Sequence, residues 1–364
     1  MLIFEGINMR ENFSQDTIAK LAARAGYVCS FPGCHIPTSG PSLESATQTA
    51  NTGNAAHICA ASQGKGARRR LDISKFDKSL LSDYSNGIWM CETHAKTIDT
   101  DEVRFTVEML NRWRELAELR AHLQQTIKSP LCDFLHKGNE VPLAQVNRSF
   151  MQNDLAAINE ICDAVEFSYI YDVWGKDVGI AIRDIAGELL INAFRHGGAT
   201  EFKIDINSDR VLITSDDRPF SFEQLLTDPQ CHGGQQAAAS LMKRGDRLVT
   251  AYRRENNSNI LEITFITSQE QIIKSNSCAI SFTDFFSDLS RRSELPDVYI
   301  SCETIYIVVP SGFHIIPSTG LEMGRHLKEL AQTGKKMVLI CSRTSEDVIS
   351  KLESFVPGLE VRQI

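Results

Sequence analysis

Apolar residues recur at helical spacing in two stretches of the first third of the chain. Residues 14–25 form the first pattern, in which Ser14 can cap the start of a helix. Residues 105–128 form the second and longer pattern. The apolar positions that carry the two patterns are Ile18, Leu21, Ala22, Ala25, Val107, Leu110, Trp113, Ala117 and Leu123. Between them, residues 36–54 are rich in Ser, Thr, Gly and Asn and predict a loop, and the apolar run at 55–60 predicts the first strand of a small hairpin.

The middle of the chain combines helical and strand patterns. Helices are predicted over residues 151–166, 177–197 and 234–243. Residues 201–215 and 247–267 alternate apolar and polar residues around polar turns, which is typical of β-hairpins. This order predicts an α+β sandwich with helices on one face of an antiparallel sheet.

The last part of the chain has a third pattern. The strand-like runs TIYIVVP, KKMVLIC and LEVRQI alternate with the helical stretches GRHLKELAQTG and SEDVISKLESFVPG. This alternation predicts a small β/α unit, either a parallel extension of the central sheet or a third module. The Pro- and Gly-containing segment 129–150 predicts a linker. The sequence therefore divides into residues 1–128, the linker, 151–290 and 291–364.

Composition limits the classes of protein to which the chain can belong. Its formal net charge of −8 argues against a general polyanion binder. No run of about 18 apolar residues occurs, so we expect no membrane-spanning helix, and residues 1–16 lack the pattern of a secretory signal. The ten cysteines are scattered, which suits a reducing cytoplasm and a metal site better than a disulfide framework. We therefore expect a cytoplasmic protein without a membrane partner.

Positive charge is concentrated in one loop. The stretch 64–78 contains six basic and two acidic residues. Within it, Lys65, Arg68, Arg69 and Arg70 are candidates for phosphate contacts. A solvated loop surface is the alternative interpretation of such a charge run.

Two short Cys/His pairs lie well apart in the sequence. Cys29 and Cys34 flank a Pro-Gly turn, and Cys91 and His94 follow the apolar segment Ile-Trp-Met. Three thiolates and one imidazole suit tetrahedral zinc, and closed four-ligand sites of this type are structural. Two such pairs seldom coincide by chance, so we predict one zinc site rather than four unrelated buried residues.

Three segments around the second pair form a further pattern: AHICAAS at 56–62, NGIWMC at 86–91 and HAKTID at 94–99. Their order resembles a branch of the ββα-metal (HNH) nucleases. The resemblance implies that His57 is the general base that activates water. It also implies that Asn86 orients this histidine and holds the adjoining loop.

The same resemblance implies a catalytic Mg²⁺ or Mn²⁺ near Asp99. The chain departs from the usual pattern at two other ligand positions, which hold Ala56 and Ala95. The basic loop would then hold DNA phosphates beside the cut site through Lys65 and Arg68 to Arg70.

The long helix of the middle region carries Glu188, Asn192 and His196 at intervals of four residues, which places them near one face. The sequence ELLINAFRHGGAT resembles the N-box of the GHKL ATPases, the family of histidine kinases, gyrase B and Hsp90. The resemblance implies that Glu188 activates water and that Asn192 binds Mg²⁺ together with ATP. The alternative is an amphipathic helix with one solvated face.

Two later segments follow the order of the same family. Asp216, with Asp217 beside it, stands where the family has an aspartate that binds the adenine amino group. Arg218 stands where a glycine is usual in that family. Gly233 and Gly234 precede a helix and would offer backbone N–H groups to the nucleotide phosphates.

The sequence thus predicts an α+β multidomain protein with a zinc-stabilised HNH domain, a GHKL-like α/β sandwich and a small C-terminal β/α unit. The leading hypothesis is a metal-dependent DNA endonuclease that is gated by ATP binding, in the layout of an anti-phage effector. It would act as a homo-oligomer or with a partner protein of a defence system. Two alternatives stay open. One is a non-catalytic DNA-binding or signalling protein whose second domain binds a nucleotide or a partner, and the other is an ATPase or kinase whose first domain only targets DNA.

Overall fold

The computed structural model describes residues 10–62, 64, 66–72, 74–126, 142–227, 232–284, 299–310 and most of 315–364. Within the last range, the residues that are not described are 317, 319–320, 322–323, 325–326, 329–330 and 333. The chain divides into two compact units, Met1–Phe134 and Leu135–Ile364. In the described ranges, no helix combines the length and the apolar character that a bilayer crossing requires.

The described part of the first unit contains short strands, three α-helices and two short 3-10 helices (Lys78–Ser82 and Tyr84–Asn86). The helices are α1 (Gln15–Arg24), α2 (Glu92–Ile98) and α3 (Val107–Thr126). The strands are β1 (Ser39–Pro41), β2 (Thr49–Asn51), β3 (Gly53–His57) and β4 (Gly87–Cys91). Ser14 caps α1 by accepting a hydrogen bond from the backbone N–H of Thr17, as the sequence predicts. The prediction of a loop over residues 36–54 is wrong in part, because β1 and β2 pair there as an antiparallel hairpin.

The hairpin of β3 and β4 organises the first unit and leads directly into α2. The two strands are antiparallel, and His57 lies opposite Gly87. A Cβ atom at Gly87 would lie 2.4 Å from the side chain of Leu21, and one at Gly53 would lie 2.0 Å from the ring of Trp89. Glycine at both positions therefore lets α1 and the tryptophan pack closely on the hairpin.

The second unit contains a five-stranded antiparallel sheet with helices beside it. The strand order is β5-β6-β7-β9-β8. These strands are β5 (Val146–Phe150), β6 (Phe202–Ile206), β7 (Arg210–Ser215), β8 (Leu248–Glu255) and β9 (Ser258–Phe265). The helices are α4 (Leu155–Phe167), α5 (Ile170–Val173), α6 (Lys176–Asn192), α7 (Phe222–Thr227), α8 (His232–Met242) and α9 (Gln269–Ser275).

One strand of this sheet lies inside the segment that the sequence predicts to be a linker, residues 129–150. Strand β5 pairs with β6 over its full length. Val146 and Phe150 are buried at its two ends, so the strand contributes to the core despite the Pro and Gly residues that precede it. Residues 129–141 of the predicted linker lie outside the described residues.

A second sheet of four parallel strands completes this unit. Its order is β10-β11-β12-β13. The strands are β10 (Ala279–Ser281), β11 (Thr304–Val308), β12 (Lys336–Cys341) and β13 (Leu359–Gln363), and helix α10 (Glu346–Phe355) connects the last two. Val249 and Ala251 of the first sheet pack in the same buried cluster as Tyr306 and Val338 of the second. The two sheets therefore share a core.

A disulfide joins Cys278 to Cys302 in this shared core. Both cysteines are fully buried. The sequence favoured a metal site over disulfides, and this pair is an exception to that expectation. Cysteine spacing alone does not reveal which scattered residues the fold brings together.

Candidate functional sites

Cys29, Cys34, Cys91 and His94 converge at the start of α2. Their ligand atoms all lie within 4.8 Å of one another. His94 presents Nδ1 to the cluster, 3.3 Å from Sγ of Cys91 and 3.7 Å from Sγ of Cys29. Its ring stacks on Phe31 with 3.9 Å between the ring centroids, which fixes the direction of Nδ1. The four side chains, called the Cys29 cluster below, could hold a metal ion such as zinc.

Burial determines the protonation state of side chains in the Cys29 cluster. It raises the pKa of Cys29 to about 12 and also raises the pKa of Cys34. Buried thiols of this kind stay protonated unless a bound cation compensates the thiolate charge. Burial lowers the pKa of His94, so its imidazole is a neutral ligand. The donor set of sulfur and nitrogen fits zinc better than a hard cation.

His57 ends β3 and lies on the wall of a cleft of about 620 Å³. One face of α2 forms another wall of this cleft through Glu92, Lys96 and Asp99. These three positions are one helical turn apart, so their side chains lie along a single line. Arg68 also lines the cleft, which is called the His57 cleft below.

Two residues before α1 hold the imidazole of His57. Its Nε2 lies 2.9 Å from the backbone carbonyl oxygen of Glu11. A carbonyl only accepts, so Nε2 carries the proton of the neutral ring and Nδ1 is assigned the free lone pair. Phe13 stacks on the ring with 3.9 Å between centroids and 11° between planes. Burial is the main cause that lowers the pKa of His57, so the ring is neutral and able to accept a proton near pH 7.

Asn86 holds the loop next to His57. Its Nδ2 donates to the carbonyl oxygens of Cys59 and Leu81 at 2.9 and 3.0 Å, and its Oδ1 accepts from the N–H of Cys59 at 2.7 Å. Its backbone carbonyl accepts from the N–H of Ile58 at 2.8 Å. Among the described residues, none of the hydrogen bonds of its side chain goes to His57. Asn86 therefore acts on the histidine through the backbone.

Arg69 is directed inward. Its side chain is only 3% exposed and its guanidinium donates to the carbonyl of Ile58 at 2.7 Å and to Oδ1 of Asp99 at 2.9 Å. It also donates to the carbonyl of Ile98 at the end of α2. These bonds leave no face of the guanidinium for a nucleic-acid phosphate. The prediction of Arg69 as a phosphate contact is therefore corrected: this arginine joins the basic loop to α2.

The other members of the basic loop differ in position. Arg68 and Arg70 are exposed, and Arg68 faces the His57 cleft. Arg70 does not line the cleft. Lys65 lies outside the described residues.

The residues of the His57 cleft do not fit a catalytic Mg²⁺ or Mn²⁺. Asp99 is paired with the guanidinium of Arg69, which weakens the attraction of its carboxylate for a cation. Ala56 and Ala95 line the cleft and carry no ligand atom. Over the part of the chain that the structure describes, the Cys29 cluster is the one group of three or more His, Cys, Asp or Glu side chains that converges on a common point.

A cavity of about 350 Å³ lies beside the end of α6. Asn192 lines it, and Gln224 and Leu225 of α7 form another wall. The remaining apolar lining comes from Leu189, Ala193, Ile213, Pro219, Phe220 and Leu261. A largely apolar cavity with a few polar groups suits a flat ring system. We call it the Asn192 cavity.

Glu188 does not line the Asn192 cavity. It faces a separate pocket between α4, α6 and α8. A Cβ atom at Gly233 would lie 2.6 Å from Oε1 of Glu188, so the first turn of α8 packs directly on this carboxylate. A Cβ atom at Gly234 would lie 3.5 Å from Nδ2 of Asn192. Gly233 thus lies next to Glu188 and Gly234 next to Asn192. Glu188, however, is separated from the cavity.

The cavity is lined by Asp217 and not by its neighbour Asp216. Asp217 is 8% exposed, and its Oδ1 accepts from Oγ of Ser215 and Nδ2 of Asn259, both at 2.6 Å. Asp216 points outward, and its Oδ1 accepts from the backbone N–H of Thr200 at 2.8 Å. Hydrogen bonds from Thr200 and its neighbour lower the pKa of Asp216. Asp216, the predicted adenine contact, therefore does not line the cavity, and Asp217 is the residue of the pair that does.

A π-helical turn (Ala193–Gly197) after α6 makes room for Asp217. A Cβ atom at Gly197 would lie 2.5 Å from Oδ2 of Asp217. Among the described residues, Oδ2 has no hydrogen-bond partner, while Oδ1 has two. The carboxylate is therefore held through Oδ1, and Asp217 lines the cavity with one acceptor oxygen that has no described partner.

Several residues of these sites were not identified from the sequence. Glu11 and Phe13 are distant from His57 along the chain, and no local pattern connects them. The alternation along β7 does indicate Asp217. The burial of β7 alternates with period two and ends with buried Ser215, so the next inward position is 217.

The chain was also compared with known proteins. No family model, no curated protein and no solved structure matches it.

Proposed function

We propose that the chain is an HNH-type endonuclease that hydrolyses DNA phosphodiester bonds in the His57 cleft. The observation that supports this most is the state of His57: Nε2 is bound to a carbonyl, and Nδ1 is free beside a cleft lined with positive side chains. A neutral imidazole held in one tautomer suits a general base for water. In this proposal the Cys29 cluster holds a structural zinc ion that fixes α2 against the β-hairpin.

The second unit would bind a purine nucleotide in the Asn192 cavity and thereby regulate cleavage. The free oxygen of Asp217 would accept from an amino group of the base, and the apolar walls would contact its faces. Asn192 would lie towards the phosphates and their Mg²⁺. A role in antiviral defence, as a homo-oligomer or with a partner protein, belongs to this proposal and rests on the domain layout alone.

Plasmid cleavage tests the first part. Wild-type protein and His57→Ala are incubated with supercoiled plasmid, with and without Mg²⁺ or Mn²⁺ and ATP, and nicked and linear products are counted. We expect wild type to cleave and His57→Ala to lose about two to four orders of magnitude in rate, the contribution of a general base. His122→Ala, an exposed histidine outside the cleft, is the matched control. Equal cleavage by wild type and His57→Ala would refute the assignment.

One observation favours a second function, DNA binding without cleavage. The two alanines in the cleft and the pairing of Asp99 with Arg69 remove the metal ligands that HNH catalysis normally uses. A protein with this second function would bind DNA in a gel-shift assay, and Arg68→Ala would abolish the binding. It would not cleave plasmid under any condition. The plasmid assay separates the two functions.

A further inference from the structure

Within the described residues, the His57 cleft contains positive side chains where the resemblance implies a metal. Arg10, Arg68 and Lys96 line it, against the carboxylates of Glu92 and Asp99. Asp99 forms an ion pair with Arg69. None of the three lining cations forms an ion pair with a described residue. The cleft therefore carries unpaired positive charge next to a proton acceptor.

Lys96 and Arg68 are placed to reach one ligand from two sides. Lys96 lies one turn after Glu92 on α2, lines the cleft and is exposed. Arg68 belongs to the basic loop, which lines the cleft separately from α2, and it is also exposed. The loop is fastened to α2 by its next residue, Arg69, which bonds both Ile98 and Asp99. The position of Arg68 relative to α2 is thus fixed by a buried bridge.

We infer that Arg68 and Lys96 bind the scissile phosphate in the His57 cleft and stabilise the charge that develops in the transition state, so that cleavage needs no catalytic divalent cation. The inference rests on the proposed function and specifies how the same site works. A guanidinium and an ammonium group are both effective partners of phosphate oxygens. Positive charges beside the position where negative charge develops stabilise the transition state.

The reaction balances without a metal. Nδ1 of His57 takes a proton from water as the water oxygen attacks phosphorus. The bond from phosphorus to the leaving sugar oxygen breaks, and this oxygen takes up a proton from solvent. His57 then returns its proton to solvent, so that one water is consumed for each bond cleaved and no electron is transferred.

The test uses full-length protein with zinc as its only metal, verified by elemental analysis. Supercoiled plasmid is incubated with the protein in buffer freed of divalent cations, and in parallel with millimolar Mg²⁺ or Mn²⁺. We expect wild type to cleave at rates within about threefold of each other in the two buffers, and Lys96→Ala and Arg68→Ala each to lose about a hundredfold. Lys96→Arg should keep most of the rate. Lys20→Ala, an exposed lysine of α1 outside the cleft, should cleave like wild type.

The outcomes are distinguishable. Cleavage only after addition of Mg²⁺ or Mn²⁺ would overturn this inference and leave the proposed nuclease function standing. Metal-independent cleavage that Lys96→Ala and Arg68→Ala do not slow would overturn the role of the two cations. Absence of product in every buffer, with circular dichroism of the variants unchanged, would overturn both the inference and the proposed function.

Discussion

At the scale of single residues, the chemistry of His57 depends on Phe13, a residue far from it in sequence. The stacked ring of Phe13 shields the imidazole from water, and burial is the main cause of the lowered pKa. We predict that Phe13→Ala hydrates the ring and raises the pKa of His57 towards its ordinary value of about 6.5. NMR titration of the imidazole resonances measures this. The control is Phe76→Ala, since Phe76 is an exposed phenylalanine. An unchanged pKa in Phe13→Ala would show that another contact is responsible.

The same shift has a consequence for stability. Because the pKa of His57 is lower in the folded protein, the unfolded chain binds the proton first as the pH falls below about 6.5. Between the pKa of His57 in the unfolded chain and its lower pKa in the folded protein, a falling pH therefore decreases the free energy of unfolding. Above the unfolded pKa this effect is absent. His57→Gln, which cannot titrate, should flatten the acid side of the stability profile measured by urea unfolding of the first unit.

Asp216 and Asp217 provide a matched pair for the second site. Asp217 keeps one carboxylate oxygen for the cavity, whereas Asp216 faces outward and binds Thr200. We predict that Asp217→Asn lowers the affinity for a purine nucleotide by at least about tenfold, since it replaces an acceptor with a donor, and that Asp216→Asn changes it by less than about twofold. Isothermal titration calorimetry measures both. A larger loss of affinity in Asp216→Asn than in Asp217→Asn would support the prediction from sequence that Asp216 contacts the base.

These residues show what sequence can and cannot predict about a site. The convergence of the four side chains of the Cys29 cluster is predictable from the sequence, because short Cys/His spacings restrict geometry strongly. Arg69 could not be told from Arg68 and Arg70, because a run of like residues carries no signal of which one turns inward. Its backbone has a φ of +49°, a conformation set by the tertiary contacts of this one arginine.

At the scale of secondary-structure elements, most helices and strands follow from the apolar pattern, and two of the exceptions have a common cause. Strand β5 is a short edge strand whose pairing comes from β6, so its own sequence is a weak predictor. The hairpin of β1 and β2 is exposed and polar, and it too is formed by pairing rather than by apolar alternation. Local periodicity reports burial, and it fails where backbone pairing dominates.

The disulfide joins the segments that lead into β10 and β11 of the parallel sheet, next to a residue that contacts a wall of the Asn192 cavity. It closes a loop of 24 residues, and the residue after Cys302 is Glu303. The carboxylate of Glu303 accepts hydrogen bonds from Oγ of Ser221 and from the N–H of Phe222, at the start of α7. Since Leu225 of this helix lines the cavity, the bridge and the cap support one of its walls.

Removing the disulfide should therefore affect both stability and binding. We predict that the double substitution Cys278→Ser/Cys302→Ser lowers the stability of the second unit by about 3 kcal/mol, from the loop entropy of a chain of this length. It should also weaken nucleotide binding, because Glu303 loses its anchor. The loss of stability is measured by urea unfolding, with hydrogen exchange of the backbone amides of β10 and β11 as the probe. Cys162→Ser, at a half-buried free cysteine, is the control. Unchanged protection of both strands in the double variant would contradict the prediction.

At the scale of the whole molecule, the chain has two compact units with different means of stabilisation. In the described residues, the first unit has short strands, and the Cys29 cluster joins the turn after α1 to the start of α2. The second unit has two sheets and a shared apolar core. A metal ion held by these side chains would add its binding free energy to the folding of the first unit, whereas no such group of side chains occurs among the described residues of the second unit.

This contrast predicts an unequal response to loss of the metal. Cys29→Ser or a strong zinc chelator should unfold the first unit, because the buried thiol of Cys29 and the ring of His94 then lose the ion that holds them together. The second unit should keep its fold and its nucleotide affinity. Limited proteolysis with mass spectrometry would show cleavage within 10–126 and protection of the two sheets. Cys59→Ala, a buried cysteine outside the cluster, should leave both units resistant. If chelation exposed both units together, the two would be a single cooperative structure, and the assignment of separate stabilisation would be wrong.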